Sequence, residues 1–159
     1  MSKSVKRVEQ AAAEAGLSIE VKRMGESTRT AEEAAAQCDC EVDQIVKSLI
    51  FQGNESGNLF LFLISGSQKL DPTRAADICG EPMERADPKK VREFTGFAIG
   101  GVSPIGHLNP IRCIADRTLL QFDRIWAAAG APDAVFAVAP SDLFRAAQAQ
   151  IADLTAIPA

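Results

Sequence analysis

The chain has 159 residues and a mass of 16.9 kDa, with 47% hydrophobic and 24% charged residues, a balance that fits one globular domain with a real core and excludes disordered or fibrous polymers. Lys and Arg number 17 against 21 Asp and Glu, a net charge of −4 with a pI near 5.1, which argues against wholesale coating of DNA or an acidic membrane and leaves room for a local basic patch. No apolar run reaches the ~18 residues of a membrane span.

The N-terminus opens as an Ala/Glu-rich polar helix over residues 2–15, with Val5, Val8, Ala12 and Ala15 on one face and Gly16 as its stop. It lacks the apolar centre of a signal peptide, so a cytoplasmic location is expected. A short strand follows at 18–22. Thr30 and Glu33 have capping-box spacing and start an Ala-rich helix to about Cys38. Residues 44–51 and 58–65 are apolar, partly β-branched runs, joined by a glycine-bearing turn, and read as a hairpin. Asp71-Pro72 and Asp87-Pro88 each set an N-cap carboxylate before a proline at the first helical position, with Gly80 and Gly96 as stops. Residues 97–110 carry three glycines and two prolines, which no helix or strand period survives, so this is a long ordered or functional loop. Strands are expected at 111–115, 124–128 and 134–139, and a last helix from Ser141-Asp142 to about Ile151. The fold class is α/β (α+β), one domain over residues 1–159 with a mixed, mostly antiparallel sheet surrounded by helices.

One lysine, one loop, one histidine, the cysteines and a basic cluster could carry chemistry. Lys47 lies in a strand apolar on both faces, the pattern of a strand covered on both sides. An unpaired ammonium there would cost several kcal/mol, so Lys47 either serves a cleft or lays its stem along apolar surface with its head in water. Gly100-Gly101-Val102-Ser103-Pro104 allows backbone amides to approach an anionic or carbonyl oxygen, or it is only a turn. His107, the single histidine, follows in the same loop; it could act as acid, base or donor, or lie idle on the surface. Cys38, Cys40, Cys79 and Cys113 lack zinc-knuckle spacing and read as reduced thiols, with no metal site expected. Arg85, Lys89, Lys90 and Arg92 cluster around one helix and either meet phosphates or form a solvated face.

Together, Thr30-Ala31-Glu32-Glu33, the strand Gln44 to Phe51 with Lys47-Ser48, and Thr95 to His107 with Gly100 and Pro104 resemble the YbaK/ProX family of trans-editing aminoacyl-tRNA deacylases, which is related to the editing domain of prolyl-tRNA synthetases. Lys69 to Asp71 and Pro140 to Leu143 fit as well, so the likeness spans nearly the whole chain. It implies that Lys47 positions the 3′-terminal adenosine and phosphate of mischarged tRNA. It also implies that Gly100 and Gly101, with Ser103 and Pro104, set backbone groups against the ester and the attacking water. Neither a cofactor nor a covalent nucleophile is implied. Prolyl-tRNA synthetase is an implied partner; DNA and membrane are not.

The remaining implied substrate contacts are Thr30, Ser48, His107, Ala128 and Val135. Against the cysteine-specific branch, Thr30 stands where an aromatic residue occurs, Ala128 where a serine occurs and Val135 where an aspartate occurs. Gly106-His107 resembles branches that clear small residues, so alanine, 2-aminobutyrate, serine or threonine on tRNA for proline is the expected substrate. The alternatives are cysteinyl-tRNA deacylation, or a noncatalytic module that holds a tRNA end, a nucleotide or a synthetase.

Overall fold

The computed structural model describes residues 3–24 and 30–155. The elements in order are α1 (Lys3–Glu14), β1 (Val21–Arg23), α2 (Ala31–Cys38), β2 (Val46–Gly53), β3 (Leu59–Ser65), α3 (Pro72–Cys79), β4 (Met83–Arg85), α4 (Pro88–Thr95), β5 (Arg112–Asp116), β6 (Ile125–Ala128), β7 (Ala134–Val138), α5 (Pro140–Ala146) and β8 (Gln150–Ala152). Short 3-10 turns at Val42–Gln44 and Arg117–Gln121 complete the list. The start of the first helix at residue 2 falls outside the described residues.

Local chemistry explains the helix ends. Asp71 accepts from the Thr73 amide at 2.9 Å and Asp87 from the Lys89 amide at 3.2 Å, each with proline at the first helical position and a left-handed glycine (Gly80, φ 80°; Gly96, φ 82°) at the end. Thr30 caps α2 by accepting from the Glu33 amide at 3.1 Å.

The strands form two sheets. One is antiparallel, in the order β1-β7-β6; the other is mixed, in the order β4-β2-β3-β5-β8. β3 runs antiparallel to β2 and parallel to β5, and β8 is parallel to β5. Among the described residues one parallel bridge, Ile45 to Trp126, links the two sheets. The main core, with Val5, Val8, Leu61, Leu63, Phe97, Ile125 and Phe136, fills the space between α1, the sheets and the 97–110 loop. A second core, around Phe60, Phe62, Ile64 and Leu154, lies on the other face of β3.

Three expectations need correction. The first strand is Val21–Arg23 rather than 18–22, because its register is set by pairing with Ala134, Val135 and Phe136 of β7. The last helix is capped at Ala139 and ends at Ala146, not near Ile151. Its tail turns through Gln148 in the left-handed region (φ 53°) and becomes β8, so pairing with β5 outweighs the local helix propensity of an Ala/Gln-rich segment. The strand buried throughout is β3; residues 47–52 of β2 are only half-buried. β2 meets β4 only at Phe51, Gln52 and Gly53, so its remaining length forms an open edge among the described residues.

Candidate functional site

That open edge organises the site. From the bridge at Ile45 to the pairing at Phe51, the outer side of β2 pairs with no strand among the described residues, and β6 stands across from it. A cleft of about 490 Å³ occupies the gap between β2 and the β6–β7 pair. Its walls are the first turn of α2, the strand β2 itself, the tip of the glycine loop, and the β6–β7 end at Trp126, Ala128 and Val135.

Lys47 lies on the cleft wall, opposite Ile64 in register, and its Nζ donates to the Gln68 carbonyl at 2.7 Å. The ammonium is thus half-desolvated and held by one neutral acceptor. Among the described residues, Glu32 is the sole acidic one on the lining. Ser48 follows on the opposite face of the strand, with its Oγ buried and unpartnered among the described residues. Thr30 uses its oxygen to cap α2, which leaves its O–H free to donate toward the cleft.

The glycine loop has two different reasons for its glycines. Gly100 is exposed on the cleft with φ +96°, a conformation that penalises any Cβ. Gly101 does not line the cleft. Its amide donates to the Ala98 carbonyl at 2.9 Å and closes a turn, while a Cβ would sit 3.0 Å from the Ala131 Cα. Gly100 and Val102 line the cleft, and their amides donate to no other described residue.

Of the residues singled out from sequence, the structure brings Thr30, Lys47, Ser48, Gly100, Ala128 and Val135 to one cleft, and leaves Gly101, Ser103, Pro104 and His107 behind it. Ser103 is fully buried, and its Oγ accepts from the Ile105 amide. His107 packs edge-on against Phe97 at 5.1 Å, with the Arg7 guanidinium over the same Phe97 ring at 4.9 Å. Its Nε2 donates to the Ser103 carbonyl at 2.6 Å, which fixes the tautomer and leaves Nδ1 as a buried acceptor. His107 thus braces the loop. Trp126 and Gln68 were not picked out in sequence; the signal for Trp126 was its being the single tryptophan, two positions before Ala128 in the same strand.

Burial lowers the His107 pKa to about 4, opposed by the bond to Ser103 and aided by Arg7. The folded state therefore resists protonation that the unfolded chain accepts near its usual 6.5. Stability from this group is complete above pH 6.5 and is lost as pH falls toward 4. Between pH 7 and pH 5 the protein is expected to lose about 2 kcal/mol more than a His107→Asn variant, measured by urea unfolding at each pH. Equal losses in both would place the ring in water.

The four cysteines are free thiols. Burial pushes each of them up, Cys113 to about 12, so none is primed as a thiolate. The basic cluster divides: Lys90 donates to the Gly57 carbonyl at 2.6 Å and holds the β2–β3 turn, whereas Arg85, Lys89 and Arg92 are exposed.

No helix among the described residues is long and apolar enough to cross a membrane. Residues 25–146 match the model of the aminoacyl-tRNA editing domain. A solved structure described as a candidate trans-editing enzyme for prolyl-tRNA synthetase superposes with a TM-score of 0.92 at 45% identity, covering 99% of both chains. The uncharacterized protein YwhH of Bacillus subtilis is 30% identical over 117 residues, 74% of each chain. The protein EbsC of Enterococcus faecalis, named as a candidate Cys-tRNA(Pro)/Cys-tRNA(Cys) deacylase, is 28% identical over 127 residues, 79% of this chain and 77% of its own. With the strand lysine and the glycine loop meeting at one cleft inside the matched span, the chain belongs to the aminoacyl-tRNA editing domain family.

Proposed function

We propose that this protein is a trans-editing deacylase that hydrolyses the ester of mischarged tRNA, with a small aminoacyl group such as alanine, 2-aminobutyrate, serine or threonine, carried on tRNA for proline. The observation that carries the reading is the cleft that joins the Lys47 ammonium, the loop tip at Gly100 and a wall of small residues. Water adds to the ester carbonyl; the tetrahedral oxyanion, which needs donors in place beforehand, then collapses to free the amino acid as the 3′-terminal ribose oxygen leaves with the proton that the water gave up. The Gly100 and Val102 amides serve that need, and Lys47 serves as a point charge for the terminal phosphate. Thr30, Ala128 and Val135 offer one hydroxyl and no charge to the aminoacyl side chain, which supports selection by shape. A methyl group is then worth only ~1–3 kcal/mol, so small substrates overlap.

Single-turnover hydrolysis of a panel of charged tRNAs tests this. Alanyl-, 2-aminobutyryl-, seryl- or threonyl-tRNA for proline is expected to be cleaved, and correctly charged prolyl-tRNA spared. The name of the Enterococcus relative supports a second reading, cysteinyl-tRNA deacylation; fastest cleavage of that species would replace the first. Cleavage of none would favour a noncatalytic tRNA-binding module.

A further inference from the structure

The cleft does not stop at Ile99. A second cavity of about 510 Å³ continues along the same open edge of β2. It shares Ser48, Ile99 and Gly100 with the first and adds Phe51, Arg85 and Pro88. Ile99 stands on the lip between the two, 58% exposed, and lines both cavities. Among the described residues, Arg85 is the single charged one on this lining and has no ion-pair partner. It projects from β4 directly opposite the half-buried Phe51 in register. At the junction lies the Ser48 hydroxyl, buried and unpartnered. A buried hydroxyl without a partner costs about 1–3 kcal/mol, a penalty that a ligand can relieve.

One cation without an opposing anion among the described residues, apolar surface and a waiting hydroxyl are what single-stranded nucleic acid needs: contact for the base, charge for the phosphate and a hydrogen bond for the sugar. We propose that the second cavity binds a further unpaired nucleotide of the RNA substrate's 3′ end, next to the one whose ester occupies the first cleft. Its base rests on Ile99, Pro88 and Phe51, its phosphate meets Arg85, and Ser48 bonds a ribose hydroxyl at the junction. The proposal rests on the deacylase reading for the nature of the substrate and on the continuity of the two cavities for its position.

Two measurements test it. The first is equilibrium binding of a fluorescent, unacylated oligoribonucleotide ending in CCA. Arg85→Gln is expected to weaken it about tenfold and to reduce the slope of log K against log salt by about 0.7, one phosphate contact on a single strand. Ser48→Ala is expected to weaken it several-fold while thermal stability stays level or rises, a combination that a merely space-filling serine would not give. The second compares kcat/KM for a mischarged CCA-ended RNA with that for the same aminoacyl ester of adenosine alone. The ratio should fall about tenfold in Arg85→Gln, because a lone nucleoside does not reach Arg85. No binding of the oligonucleotide by the wild type, unchanged binding in both variants, or an unchanged ratio would overturn the subsite. If no ester is hydrolysed but binding depends on Arg85 and Ser48, the deacylase reading fails and the subsite stands.

Discussion

Replacing Lys47 with alanine is expected to lower single-turnover deacylation at least about thirtyfold while moving thermal unfolding by only a few degrees. The ammonium is half-buried on the cleft wall and bonded to one neutral carbonyl, Gln68 at 2.7 Å. Losing that bond costs about 1 kcal/mol of stability, or roughly 2–4 °C for a chain of this size. Losing its contact with substrate removes a charge from a partly desolvated site, where truncation costs about 2–5 kcal/mol. Lys47→Met keeps most of the aliphatic stem and should fail equally, which separates charge from packing. Full activity in either variant would remove Lys47 from the reaction.

Gly101→Ala should damage both rate and stability. The new Cβ would lie 3.0, 3.1 and 3.2 Å from the Cα, C and N of Ala131, and backbone cannot swing aside as a side-chain tip can. The loop must lift from Ala131, at about 1–3 kcal/mol of stability, and the Gly100 and Val102 amides move with it. A loss of about one to two orders of magnitude in single-turnover rate is expected, comparable to the removal of one oxyanion donor. Gly100→Ala meets no atom within 4 Å, so its cost is the strain of φ +96° alone. Comparing the two variants by melting temperature and rate separates packing from backbone conformation. Wild-type values for Gly101→Ala would show that the loop does not rest on Ala131.

The parts of this fold legible in sequence are those written by neighbours in the chain. Asp71-Pro72 and Asp87-Pro88 carry their caps with them, and each helix ends at the glycine that follows it. The β2–β3 hairpin follows from two apolar runs and a short turn. Illegible were features created by distant pairing. Met83–Arg85 is a strand because it meets the end of β2, and Gln150–Ala152 is one because β5 offers a free side. The same limit applied to the site. Lys47 and Gly100 stood out as chemistry out of place in its local pattern, but the Gln68 carbonyl beneath Lys47 and the Trp126 wall come from chain closure across the two sheets. His107 stood out too, yet which side of the loop it occupies depends on Phe97 and Arg7, and no local pattern encodes that.

The opening in β2 also bears on colloidal behaviour. Unpaired strand edges are templates on which another chain can add, and proteins usually blunt them. Here residues 46–50 form a stretch only about 16 Å long at ~3.3 Å per residue, closed at one end by the Ile45 to Trp126 bridge and at the other by the pairing of Phe51 with Arg85. A typical incoming strand needs about 17–20 Å. The window therefore offers an incoming strand no more than five residues, a limited template for β-addition, and leaves room for a small ligand beside it. β4, three residues long, is a stopper as well as a strand: with it detached, the open edge would run on to Gly53 and present all eight residues of β2 to another chain.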